Sequence, residues 1–230
     1  MSIQEREDFL AALTLTVFST APATAAPVRF AICGVGHIGR RHAALVARQL
    51  GAQLVALIDV RTDLQPSLNV DFQNVPFFSS LGEYLTHGPA ADVLTIATPN
   101  GLHAPQAIAG LLHGLHVVIE KPIALRTADA EVIVQTAQQA GKLVFGVMQN
   151  RYSPPAVWLK ELYESGRLGQ VFLVQLTCFW NRDARYYQPG GWRGTQAVDG
   201  GTLFTQFRDR KSGSAGMPRP LSVSRMPSSA

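Results

Sequence analysis

One short pattern restricts this chain more than any other: GVGHIG, Gly34 to Gly39, set between two apolar runs. Val28 to Cys33 reads as a strand, a helical pattern follows the glycines, and Leu54 to Ile58 reads as a second strand ending on Asp59. Strand, tight turn, helix, strand and acid in that order form the dinucleotide-binding fingerprint. Gly34 permits the sharp exit from the strand. Gly36 carries no side chain, so a pyrophosphate can approach the backbone there. Gly39 lets helix and strand pack closely. His37 and Ile38 stand at the helix start, where free N–H groups and the positive dipole end face an anion. Asp59 follows Gly39 by twenty residues, where a carboxylate accepts hydrogen bonds from adenine-ribose hydroxyls. A methyltransferase-type loop, the nearest alternative, carries an acid just before its first glycine; Ala31, Ile32 and Cys33 stand there instead. NAD is favoured over NADP because Asp59 repels a 2′-phosphate, a preference that Arg61 can offset.

Beyond Asp59 the pattern alternates between short apolar runs and helical stretches. Thr62 to Asn69 is a weak helix or turn, and Pro76 to Phe78 a short strand. Ser80 with Glu83 forms a capping box for a helix to His87. Val93 to Ala97 is a strand, Leu102 to His113 a helix, and His116 to Ile119 a strand. Thr127 caps a helix to Ala140 with Gly141 as its stop. Leu143 to Val147 is a last strand. Near-continuous apolar strands separated by helices predict an α/β, doubly wound parallel sheet, complete by residue 148. Residues 149 to 207 start an α+β domain and leave it incomplete. Ser153 caps a helix that opens on Pro154 and Pro155 and runs to Ser165. Val171 to Phe179 is a long strand, Gly190 to Gly194 a loop, and Gly200 to Phe207 turns helical. A strand without neighbours predicts an open apolar edge and self-association.

The ends differ from this middle. Residues 1 to 27 form a leader, disordered or loosely helical; its acidic start, MSIQEREDF, argues against a signal peptide, so a cytoplasmic protein is expected. No run approaches a membrane span. Residues 208 to 230 read as a disordered basic tail, with six serines and three prolines after Lys211. That tail holds the whole net charge of +4, so the basic pI does not mark a nucleic-acid face. The change of character after Phe207 resembles a shifted reading frame or a spliced-on end. Cys33 and Cys178 are the only cysteines and suit a reducing compartment; they support neither a disulfide nor a metal site.

Chemistry is expected where strands end, since ligands of open parallel sheets bind outside the carboxyl ends. Glu120-Lys121-Pro122 follows the fifth strand. Lys121 is either a solvated lysine or a group that exchanges a proton with a substrate hydroxyl as hydride leaves the same carbon. Thr98-Pro99-Asn100 follows the fourth strand, and Asn100 can reach the cofactor ribose. His103 is either a nicotinamide-side contact or a polar residue of a first helical turn. Arg40 is either a phosphate contact or a solvated side chain.

GVGHIGRRH, ATPNGLH, EKPIALRTADAE, GVMQNRYSPP, GRLGQV and GGWRGTQAVDGGTLF together resemble the glucose–fructose oxidoreductase / inositol dehydrogenase (Gfo/Idh/MocA) family, over Val28 to Phe207. The NRY and WNRDARYYQPGGWRGT stretches resemble members that oxidise UDP-N-acetyl-2-amino-2-deoxyglucuronate at C3. The resemblance implies that Lys121 is the catalytic lysine, that the Lys121–Pro122 bond is cis, and that Glu120 and Gln149 belong with the cofactor contacts. It places Gln149, Asn150 and Arg151 at the domain junction, with Trp192 and Arg193 in a substrate-side loop. It implies an Asp or Asn after the Gly200-Gly201 pair and a His four residues later; Thr205 and Asp209 stand there. The expectation is a sugar or nucleotide-sugar dehydrogenase by ancestry, with turnover impaired and without the surface through which the family forms homo-oligomers. The alternative is a non-catalytic dinucleotide-binding module.

Overall fold

The computed structural model describes residues 26–175, 186, 187 and 191–200. Six strands build its sheet: β1 (Val28–Cys33), β2 (Ala52–Ile58), β3 (Phe77–Phe78), β4 (Val93–Ile96), β5 (His116–Ile119) and β6 (Val144–Gly146). All pair in parallel, in the order β3-β2-β1-β4-β5-β6. The direction of winding reverses between β1 and β4, which opens a crevice at their carboxyl ends. Helices α1 (His37–Arg48), α2 (Gln65–Asp71), α3 (Leu81–His87), α4 (His103–Leu112) and α5 (Thr127–Ala140) carry the crossovers. Helix α6 (Pro154–Glu164) follows the sheet.

Strand periodicity decides which helix packs where. Successive residues of β1 face opposite sides, so Ala31 and Cys33 join one core while Ile32 joins the other. The first core gathers Ile58, Leu94, Ile96, Val117 and Ile119 beneath Ala107, Leu111, Ile133 and Ala137 of α4 and α5. The second sets Ile32 and Leu57 against Ala43 of α1 and Leu68 of α2. Each fully enclosed Leu or Ile contributes roughly 1.5–3 kcal/mol. Both sheet faces are thereby covered, the arrangement that unbroken apolar strands require.

The local signals resolve in detail. Ser80 Oγ accepts a hydrogen bond from the Glu83 N–H at 3.1 Å. Glu83 reaches back one residue further than a capping box prescribes, taking the Ser79 N–H at 2.8 Å and the Ser79 hydroxyl at 2.7 Å. Gly141 ends α5 in the left-handed region, φ +63°. Of two other expected caps, one is corrected and one holds its position without a side-chain bond to the helix. Arg126 is the N-cap of α5, without a side-chain bond, and Thr127 is already helical. Ser153 is the N-cap of α6, yet its hydroxyl donates backward to the Asn150 carbonyl at 2.9 Å instead of receiving a helical N–H. Pro154 and Pro155 remove the first two of those N–H groups.

The expected strand Val171–Phe179 is also corrected over its described part: residues 171–175 are irregular, with Phe172 84% and Leu173 75% exposed. A strand needs a neighbour to take its backbone groups, and none lies alongside among the described residues. The rest of that run, the leader to residue 25, Cys178, Gly190, the helical start over 201–207, Thr205, Asp209 and the tail lie outside the described residues. Among those described, no helix is long and apolar enough to cross a membrane.

Candidate active site

The glycine loop leaves β1 with Gly34 at φ +86°, where a Cβ would sit 2.7 Å from the carbonyl carbon of Ala97 and the nitrogen of Thr98. A Cβ on Gly39 would run into the Gly34 carbonyl oxygen. Those two glycines close strand, turn and helix upon one another. Gly36 is different: a Cβ there would meet only Arg61 Nη2, at 3.6 Å. The space over Gly36 is therefore open, next to the start of a twelve-residue helix with no acid in its first turn. His37 and Ile38 are exposed at that start. Backbone N–H groups, a dipole end and an empty approach fit a pyrophosphate.

Asp59 directly follows β2 and is 8% exposed. It accepts the Val35 N–H at 2.9 Å, the Arg61 N–H at 3.0 Å, and Arg61 Nε and Nη2 at 3.2 and 3.1 Å. Burial pushes its carboxyl up, but the hydrogen bonds from Arg61 and Val35 and the guanidinium charge outweigh it and hold the group below the ordinary carboxylate range. A charged acceptor thus stands beside the glycine loop, partly neutralised by Arg61. Arg40 is engaged with α2. Its guanidinium donates to Asp71 at 3.0 Å and Ser67 at 2.6 Å, tying α1 to α2.

Across the crevice, Thr98-Pro99-Asn100 lie in the turn that follows β4. The Thr98 hydroxyl donates to Gln106 Oε1 at 2.6 Å. Asn100 is buried, and its amide nitrogen donates to the Asp199 carbonyl at 2.9 Å and to Asp199 Oδ1 at 3.0 Å. The Gly101 N–H adds a bond to the Val198 carbonyl at 2.8 Å. The turn after β4 therefore holds residues 191–200 against the sheet domain. Asp199, 1% exposed, completes this clasp by accepting the Gly194 N–H at 2.8 Å. In the same segment, the Arg193 guanidinium lies 4.2 Å from the centre of the Tyr186 ring and 5.4 Å from that of Trp192.

His103 is 1% exposed, with Nδ1 2.7 Å from the Pro122 carbonyl and Nε2 2.9 Å from that of Thr98. It lies between the two loops, each ring nitrogen facing a carbonyl, and a neutral ring donates to one of them. Glu120 Oε1 lies 2.7 Å from His42 Nε2, and Glu120 Oε2 accepts the Lys121 N–H at 3.3 Å. The Lys121–Pro122 peptide is cis. Among the described residues no ion pair engages the Lys121 ammonium. Gln149, Asn150 and Arg151 form an exposed 3-10 turn just after β6. No cluster of three His, Cys, Asp or Glu gathers among the described residues.

Sequence reasoning missed two residues of this constellation. His42 follows Gly39 by three positions, hence on the same face of α1; that spacing was the available signal. Asp199 stands just before the Gly200-Gly201 pair, but nothing local tells which distant amide it meets.

Sheet order, glycine loop and strand-end acid define a dinucleotide-binding Rossmann domain. The chain belongs to the Gfo/Idh/MocA family of oxidoreductases: the family model, an NAD-binding Rossmann fold, matches residues 28–147. The WlbA dehydrogenase of Bordetella pertussis, solved with NADH and UDP-GlcNAcA, is 34% identical, with a TM-score of 0.78 over 84% of this chain and 59% of that one. The WlbA dehydrogenase of Chromobacterium violaceum, solved with the same pair, is 32% identical, with a TM-score of 0.75 over 84% and 56%. Scyllo-inositol 2-dehydrogenase (NADP(+)) IolW of Bacillus subtilis is 26% identical over 73% of this chain and 46% of its own length. The chain spans about half the length of the curated relatives it matches.

Proposed function

We propose that this chain is an NAD-dependent dehydrogenase acting on a hydroxyl carbon of a sugar or nucleotide sugar. The observation that carries the reading is the placement of Lys121. It stands two residues beyond β5, on the carboxyl edge of the sheet, one strand from the switch point where the glycine loop opens. Bound NAD supplies a hydride acceptor at C4 of its nicotinamide. The Lys121 side chain, in its neutral amine form, takes the hydroxyl proton as the C–H electron pair leaves the same carbon, so a secondary alcohol becomes a ketone. The α1 start and Gly36 hold the pyrophosphate, and Asp59 accepts the adenine-ribose hydroxyls after Arg61 yields to them. Thr98, Pro99 and His103 shape the crevice wall, and Gln149 lies on the cofactor side. Asn150, Arg151, Trp192 and Arg193 orient the sugar and its anionic groups. Similarity to the WlbA enzymes supports a nucleotide sugar bearing a carboxylate.

The test separates binding from turnover. NADH binding is followed by fluorescence, and reduction of NAD is followed with UDP-sugars and inositols. Lys121→Met should lower kcat by on the order of 10²–10⁴-fold, the usual weight of a positioned proton acceptor, with NADH affinity retained. Saturable binding with no turnover on any substrate would instead identify a cofactor-binding module. Full turnover by Lys121→Met would remove Lys121 from the chemistry.

A further inference from the structure

The Glu120-Lys121-Pro122 stretch meets an imidazole at each end, one from α1 and one from α4. His103 Nδ1, at the start of α4, lies 2.7 Å from the Pro122 carbonyl. His42 takes the Glu120 carboxylate from α1, Nε2 to Oε1 at 2.7 Å. A carboxylate only accepts, so the His42 ring donates. The pair is largely shielded, with side-chain exposures of 22% and 14%, which distinguishes it from a surface pair that solvent loosens. Glu120 has no slack elsewhere. Its N–H is bound to the Ile96 carbonyl at 2.9 Å, and its second carboxylate oxygen faces the Lys121 N–H. The carboxylate is thus held between His42 and the peptide of the next residue, leaving the lysine side chain as the part that projects.

We propose that His42 is a positioning residue that locks Lys121 to the phosphate-binding helix. It stands one turn beyond Gly39 on α1, the element whose N-terminus takes the pyrophosphate. Through Glu120, the cofactor's phosphate end and the proton-accepting amine are referred to a single rigid body. The amine is then set relative to the nicotinamide before a substrate arrives, which is what a proton transfer within hydrogen-bond reach demands. This inference rests on the assignment of Lys121 proposed above.

His42→Leu removes the donor, while His42→Gln keeps an N–H donor at comparable reach. His42→Leu should lower kcat by on the order of 10- to 100-fold, with NADH affinity and sugar KM within about threefold; His42→Gln should recover most of it. A second readout does not depend on turnover. The chain has only four lysines, Lys121, Lys142, Lys160 and Lys211. Reductive ¹³C-methylation therefore gives four lysine signals besides that of the N-terminal amine, with that of Lys121 identified by its loss in Lys121→Arg. NADH should shift the Lys121 signal in the parent and in His42→Gln, and leave it narrow and unmoved in His42→Leu. An unchanged response in His42→Leu, or a His42→Gln protein as impaired as His42→Leu, overturns the positioning role. A parent protein that binds NADH without any shift at Lys121 overturns it as well. Full activity in Lys121→Met strikes at the earlier assignment instead, so the two failures are distinguishable.

Discussion

Leu94 and Trp158 are both large apolar side chains, and they sit in opposite surroundings. Leu94 is fully enclosed between β1, β5 and α4, while Trp158 on α6 is 60% exposed. The contrast extends to whole regions. From β1 to β6 every strand has a neighbour and both sheet faces are covered. From α6 to residue 175 there is no buried side chain, and Leu159, Phe172, Leu173 and Val174 stand open. Composition hardly separates the two regions; partners do. Apolar character stabilises only where another element arrives to take it. Residues 191–200 show a third condition, held to the sheet domain by a few buried polar bonds instead of a shared apolar core.

The largest expected effect lies within the sheet domain. Gly39→Val drives a side chain into the Gly34 carbonyl, a backbone atom that cannot swing aside. It should destabilise the domain by about 3 kcal/mol or more and abolish NADH binding. Leu94→Ala leaves the loop intact and should cost about 2–5 kcal/mol by opening a cavity. Urea melts followed by circular dichroism check both. If either variant melts like the parent, the packed region is not the source of the chain's stability and the contrast fails.

Next in size is the polar clasp. Asp199→Ala strips the buried Asn100 amide of its side-chain partner and releases the Gly194 N–H. The local loss should be about 1–3 kcal/mol. Cleavage within residues 191–200 by limited proteolysis should then speed up by about tenfold or more, while the urea midpoint of the sheet stays near the parent's. A coincident shift in both would mean that the segment and the sheet unfold as one unit.

A smaller, pH-dependent effect belongs to the sheet's other end. Arg29 on β1 donates to Asp92 from its backbone N–H at 2.8 Å, from Nε at 3.1 Å and from Nη2 at 2.8 Å. Those bonds hold the Asp92 carboxyl down to about 2. In the unfolded chain it titrates near ~3.9. The carboxylate therefore stabilises the fold fully above that value, and the contribution is lost as pH falls towards about 2. Arg29→Gln should lower the thermal midpoint slightly at neutral pH, and the difference should dwindle as pH falls through about 2. The gap should also shrink in 1 M salt, because the pair is partly exposed, at 40% and 39%.

The sheet domain was legible because its signals are local and mutually consistent. Apolar runs, glycines at fixed offsets and the Ser80–Glu83 cap each name their element without knowledge of distant residues. Lys121 was legible by position, since a strand end in a parallel sheet is a site by topology. His42–Glu120, His103–Pro122 and Asn100–Asp199 were not. Each joins residues 19 to 99 positions apart, and a polar side chain in sequence carries no label of its partner. The region after Ser165 misled for a related reason. VFLVQ has strand propensity, but propensity needs a neighbouring strand to become structure.

The smallest expected effect tests the contrast from its open side. Trp158→Ser removes a large side chain, the kind of change that costs about 3–5 kcal/mol in a core. At 60% exposure, on a helix with no buried residue, the same change should move stability by no more than about 0.5 kcal/mol. What it should alter is association. Trp158 is one of several exposed apolar side chains on α6 and in residues 171–174, and exposed apolar surface draws molecules together. Light scattering across a concentration series should show weaker self-association for Trp158→Ser than for the parent, at nearly equal thermal midpoints. A core-sized loss of stability would mean that α6 is packed in solution, and the division between enclosed and open regions would have to be redrawn around it.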